Sequence, residues 1–277
     1  MTSRIPNVLS IAGSDPSGGA GIQADLKIFA ALEVYGCAAI TALTAQNTIE
    51  MSVVLPVSAE FLRLQLEAVF TDVRVDAVKI GMLGTADVIR EVAAVLRVHR
   101  PSFVVLDPVL RATTGALLLD TDALVALRDE LLPLVTVVTP NAHEAGALLG
   151  IAAPRSVAEA REAAALLAAR GIGAVLVTGG HLSDAEVSVD VLHDGRVARE
   201  FWVPRVPSGR THGTGCTLSS AVAALLARGR GLPQACAEAQ QFVAASIARG
   251  ADLRVGRGVG PVHQLGELWA RAARGIA

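Results

Sequence analysis

Apolar residues recur along this chain in two alternating rhythms. Short β-branched runs, apolar at successive positions, are followed by longer Ala- and Leu-rich stretches with a helical period. The first half reads as strand Val8–Ala12, helix Gly21–Leu32, strand Ala38–Leu43, a shorter run Val53–Val57, helix Ala59–Phe70, strand Ala77–Ile80 and helix Ala86–Val98. The pattern continues with strand Phe103–Leu106, helix Asp122–Leu131, strand Val135–Val138, helices Ala142–Leu149 and Ser156–Ala169, and strand Ala174–Val177. Strands buried on both faces and joined by helices predict an α/β fold in three layers, with a mostly parallel central sheet and helices on both faces. Between Glu186 and Val203 the helical period disappears, and Val187–His193 and Val197–Val203 flank the turn signal Asp194-Gly195. The sheet is therefore expected to gain antiparallel strands at one edge. Helices Thr214–Ala227 and Pro233–Arg249 follow, then a Gly-rich tail. With no repeat, low-complexity segment or linker, the chain reads as one domain over 1–277.

Composition narrows the picture. The 277 residues, 52% of them hydrophobic, suffice for one large buried core. The mean hydropathy of +0.50 comes largely from Ala, Leu and Val. The uncharged stretches Val34–Ile49 and Thr211–Ala227 are interrupted by Thr, Gln, Asn or His, so no membrane partner is expected. Lys and Arg number 24 against 26 Asp and Glu, without a basic run, which argues against nucleic acid and for a small-molecule partner. Three widely spaced cysteines, Cys37, Cys216 and Cys236, form neither a disulfide framework nor a structural zinc pattern. Together with an apolar run at Val8–Ala12 too short for a signal-peptide core, they point to the cytoplasm.

The unusual residues lie in the loops that leave the strands, where open parallel sheets bind ligands. In Thr211-His212-Gly213-Thr214-Gly215-Cys216, small residues open directly into an apolar helix. The first N–H groups and the positive end of the helix dipole are thereby offered to an anion. Cys216, in the first turn, is expected to have its pKa depressed there and to serve as a base beside a transferring group; the alternative is a small packing residue on an ordinary turn. The loop Gly13–Gly21 holds four glycines in nine residues but matches neither the P-loop nor the dinucleotide fingerprint. It suits close approach of a small planar ligand, with Asp25 reaching back into the site or offsetting the helix dipole. Gln46 can make paired contacts with a heteroaromatic ring, and Gly81-Met82 offers an adaptable apolar wall. Asp107, Asn141 and Glu144 close two successive strands with the oxygen donors that Mg²⁺ takes, although Asn141-x-x-Glu144 also reads as a capping box. Thr178-Gly179-Gly180 provides a hydroxyl and flexible backbone suited to phosphate.

Read together, AGSDPSGGAGIQAD (residues 12–25), TALTAQN (41–47), KIGML (79–83), LDPV (106–109), TPN (139–141), THGTGC (211–216) and GVGPVH (258–263) resemble the hydroxymethylpyrimidine/phosphomethylpyrimidine kinases of thiamine biosynthesis, in order and over nearly the whole chain. The resemblance implies a ribokinase-like fold and a homodimer. It implies Mg²⁺- and ATP-dependent phosphorylation of 4-amino-5-hydroxymethyl-2-methylpyrimidine, then of its monophosphate to the diphosphate. Gln46 would contact the pyrimidine, with Gly13, Asp25, Met82 and Val109 around it. Gly213, Thr214 and Gly215 would stabilise the transferring phosphoryl group, and Cys216 would hold the position of the base. Asp107 and Glu144 would organise Mg²⁺, with Asn141, Thr178 and Gly180 near the nucleotide phosphates. Phosphoryl transfer needs chiefly positioning and charge stabilisation, which such a set supplies.

Two departures bear on the phosphates. Thr178 stands where the family commonly has Lys, and Ala112-Thr113-Thr114-Gly115 replaces a Lys-bearing loop. Arg111 is expected to compensate. Two other readings remain open on the sequence: a pyridoxal or pyridoxine kinase, and a pyrimidine-binding protein without catalysis.

Overall fold

The computed structural model describes residues 4–110, 119–182 and 186–275. Its main sheet has eight strands in the order β10-β9-β8-β7-β6-β5-β1-β2. These are β1 (Asn7–Ala12), β2 (Tyr35–Ile40), β5 (Ala77–Ile80), β6 (Phe103–Leu106), β7 (Val137–Val138), β8 (Val175–Val177), β9 (Val187–His193) and β10 (Ala198–Pro204). From β2 to β8 every pairing is parallel; β9 runs antiparallel to both of its neighbours. The expected hairpin at the sheet edge is therefore present, with Gly195 at φ 85° in its turn.

Successive strand residues feed two separate cores, as the pleat requires. Leu9, Ile11, Val78, Ile80, Val104 and Leu106 face α2 (Ala59–Asp72), α3 (Ala86–His99), α4 (Thr121–Ala126), α5 (Ala142–Leu149) and α6 (Val157–Ala168). Val8, Ala77, Val105, Val137 and Leu176 face α1 (Gly21–Ala31), α7 (Thr214–Ala227) and α8 (Leu232–Ala248). Helix α7 is buried from Thr217 to Leu226, so its apolar residues cover all sides rather than one stripe.

Three elements differ from the pattern-based expectation. The run Ala38–Leu43 is two strands, because the chain turns at Thr41. Its N–H donates to Ala12 O and its hydroxyl to Met82 O, and β3 (Ala42–Gln46) peels off to pair with β4 (Met51–Pro56) as a separate ribbon. The helix expected over Asp122–Leu131 is regular only to Ala126 and then widens into a π turn over Leu127–Leu131. The Gly-rich tail carries a further helix, α9 (Gly266–Ala273), with Trp269 packed edge-on against His263.

Candidate active site

The loops following β1, β3, β5, β6, β7 and β8, with the start of α7, surround a cavity of about 1110 Å³. Of the residues singled out from the sequence, Gly13, Gln46, Met82, Asp107, Val109, Asn141, Glu144, Thr178, Gly180, Gly213, Thr214, Gly215 and Cys216 all line it. Arg111 lies outside the described residues.

Gly213 immediately precedes helix α7, and its φ of 84° is left-handed. A Cβ there would stand 1.9 Å from Gly19 O, so only glycine fits. Gly213 contributes no side-chain cap, and the first turn of α7 holds no carboxylate. The helix end thus keeps its positive character toward the cavity, as an anion cradle requires.

Beneath this cradle lies a buried ion pair. Lys79 Nζ donates to both oxygens of Asp25 at 2.8 Å, and Ser10 and Ser220 hydroxyls donate to the same carboxylate at 2.6 and 2.7 Å. Both charged side chains are 0% exposed. Asp25 is absent from the cavity wall, which corrects the expectation that it reaches a substrate; its oxygens are already engaged, and Lys79 is the member of the pair that borders the cavity. Burial alone would lower the Lys79 pKa, but Asp25, Cys216 and Asp107 hold it above the usual ammonium range. Removing one partner of such a pair costs ~3–5 kcal/mol.

Cys216 also departs from expectation. Its side chain is half-buried and its sulfur accepts from Gly21 N–H. Enclosure pushes the thiol up to about 12, with Asp25 and Asp107 adding to the rise and Lys79 opposing it. The two carboxylates and the lost hydration outweigh the helix dipole, so the resting group is a thiol.

Asp107 follows β6, and a Cβ added to Gly215 would lie 3.4 Å from its Oδ2. Burial raises its pKa to about 6; Lys79 opposes this and Asp25 adds to it. Glu144 and Asn141 form the capping box of α5: Asn141 N–H donates to Glu144 Oε2 at 2.9 Å, and Glu144 N–H to Asn141 Oδ1 at 3.0 Å. Burial, then the charge of Asp107, raises Glu144 to about 8. Two buried carboxyl groups on one cavity, with the charge of Asp107 felt by Glu144, suit a hard cation. Among the described residues no group of three or more His, Cys, Asp or Glu forms a metal cage. A Mg²⁺ ion here would accordingly draw most of its ligands from water and phosphate, which is its habit.

The loops after β7 and β8 are tied together. Thr178 N–H donates to Pro140 O at 2.9 Å, and Asn141 and Thr178 form a parallel bridge. Gly179 N–H donates to buried Asp190 at 2.7 Å, and Arg205 donates to Gly180 O at 3.0 Å. Pattern reading missed Lys79, Asp190 and Arg205, which also border the cavity. Lys79 is the apolar-flanked cation of a strand otherwise buried throughout, and that burial was the available signal.

Solved structures place this architecture among the ribokinase-like small-molecule kinases. A Bacillus subtilis pyridoxal kinase in complex with ADP aligns with a TM-score of 0.89 at 38% identity, covering 96% of this chain and 99% of the other. A Clostridium difficile phosphomethylpyrimidine kinase aligns with a TM-score of 0.76 at 36% identity, covering 87% and 98%. The family model described as phosphomethylpyrimidine kinase matches residues 15–263, and the chain belongs to that family. Hydroxymethylpyrimidine/phosphomethylpyrimidine kinase of Salmonella typhimurium is 48% identical, over 95% of this chain and 98% of its own length.

Proposed function

We propose that this enzyme transfers the γ-phosphoryl group of ATP to the hydroxymethyl group of 4-amino-5-hydroxymethyl-2-methylpyrimidine, and then phosphorylates the monophosphate to the diphosphate, in thiamine biosynthesis. The observation that carries the reading is the placement of one uncapped helix N-terminus, Gly213–Cys216, on the same cavity as Gln46, Met82 and Val109. Gln46, whose amide both donates and accepts, orients the aminopyrimidine; Gly13 and Met82 flank the ring. Gly213 and Gly215 present backbone N–H groups to the phosphoryl oxygens, and Thr214, whose N–H donates to Thr211 O at 3.2 Å, holds the turn between them. Asp107 and Glu144 would hold Mg²⁺, which would supply charge neutralisation at the phosphates, while Asn141, Thr178 and Gly180 shape the phosphate loop. Cys216 accepts the acceptor proton from its minor thiolate form, with Lys79 as the adjacent counter-charge.

The free thiols Cys37, Cys216 and Cys236 support a cytoplasmic enzyme; among the described residues no helix is long and apolar enough to cross a membrane. The exposed apolar residues of the β3–β4 ribbon and α2 support a homodimer. Pyridoxal is the second acceptor considered, favoured by the overall fit to pyridoxal kinases. Steady-state turnover with each acceptor decides between them: a higher kcat/KM for the pyrimidine supports the reading, and a preference for pyridoxal overturns it.

A further inference from the structure

His212 belongs to the anion-hole loop, yet none of the roles above uses its side chain. It is 6% exposed and meets Asp15, 3% exposed, with Nε2 2.8 Å from Oδ2. Asp15 organises its own loop as well. It accepts from Ser17 N–H at 2.9 Å, the Ser17 hydroxyl at 2.7 Å, Ala20 N–H at 2.8 Å and Gly19 N–H at 3.2 Å. Although burial pushes the Asp15 carboxyl up, its bonds with His212, Ser17 and Ala20 hold it below the ordinary value. The carboxylate is therefore ionised at neutral pH and can only accept, which places the imidazole proton on Nε2.

The two loops also touch through bare backbone. A Cβ on Gly213 would strike Gly19 O, and one on Gly19 would lie 2.4 Å from His212 Cδ2. A third segment joins them: His212 N–H donates to Gly260 O, Val262 N–H donates to His212 O, and Gln264 Nε2 donates to Gly19 O at 3.1 Å. The His212–Asp15 bond thus spans the join between the loop bearing Gly13 and Gly21, beside the acceptor, and the loop bearing Gly213–Gly215, beside the phosphoryl group.

We propose that His212 is a positioning residue: its bond to Asp15 sets the register of the acceptor loop against the anion hole. This rests on the kinase reading. When the acceptor oxygen and phosphorus are held in register, transfer outcompetes water; a misplacement of about 1 Å costs on the order of 10²-fold in rate. A residue that merely stabilised the fold would change the amount of active enzyme but not the fate of ATP.

The test counts ADP and pyrimidine monophosphate formed by full-length wild type and by His212→Leu, His212→Gln and His212→Asn, alongside thermal melting of each. The leucine variant is expected to lose transfer on the order of 10²-fold in kcat with little change in KM, and to release ADP in excess of monophosphate. Glutamine, whose amide nitrogen can occupy the Nε2 position, is expected to keep one ADP per monophosphate. Should the leucine variant not fold, asparagine, a donor too short to reach Asp15, is expected to uncouple in its place. One ADP per monophosphate in the leucine or asparagine variant at unchanged kcat would overturn the inference alone. A wild type that phosphorylates neither the pyrimidine nor pyridoxal would overturn the kinase reading and this inference with it.

Discussion

Under the anion hole, Lys79 carries one positive charge while Asp25 and Asp107 carry negative ones, so a Cys216 thiolate would add to an existing excess of negative charge. That is why enclosure and the two carboxylates push its pKa to about 12 rather than letting the helix dipole lower it. The sign has a kinetic consequence. A base that works from a minor ionised form becomes roughly tenfold more available with each unit that the pH rises toward its pKa. With Cys216 as proton acceptor, kcat/KM is expected to climb steadily between pH 7 and 9, and Cys216→Ala to lose both most of the activity and this slope. A flat wild-type profile over that range would remove Cys216 from the role. The positions of Gly213, Gln46 and Asp107 were legible in the sequence because strand-end loops and small residues carry them. The state of Cys216 and the burial of Asp25 were not, since both depend on Lys79, more than fifty residues from Asp25 in the chain and brought against it only by the pairing of β1 with β5.

Among the elements, those with a clean period were read to within a residue or two, and the misreading at Thr41 has a clear cause. Apolar composition runs on through Thr41, so nothing local marks the corner between β2 and β3; the corner is fixed by bonds to Ala12 and Met82, far away in sequence. The ribbon so formed leaves Val53 57% exposed and Leu55 61% exposed, and Phe61 of α2 is 57% exposed. A two-stranded ribbon with an apolar face is marginal alone in water, and pairing with a second copy would cover it. Light scattering of the wild type is expected to give a dimer, and Val53→Asp combined with Leu55→Arg a monomer with a lowered melting temperature. A monomeric wild type at micromolar concentration would contradict the homodimer.

Across the whole molecule, the parallel strands direct their carboxyl ends to one edge, where the loop after β1 meets α7 and the loops after β6, β7 and β8 meet one another. Fold and family followed from motifs spread over the full chain, while the ties that hold the loops, such as His212 to Asp15 and Gly179 to Asp190 of β9, follow only from the assembled sheet. In the proposed reading the phosphate side lacks the lysine that the resemblance leads one to expect at position 178, and its loop is braced by Asp190 and Arg205. The second phosphorylation, whose substrate brings an additional phosphate, puts the heaviest demand on this arrangement. The decisive measurement is therefore product analysis with ATP, Mg²⁺ and the pyrimidine monophosphate as acceptor. Formation of the diphosphate is the predicted result; ADP release without diphosphate, or no reaction, would contradict a single site that performs both transfers.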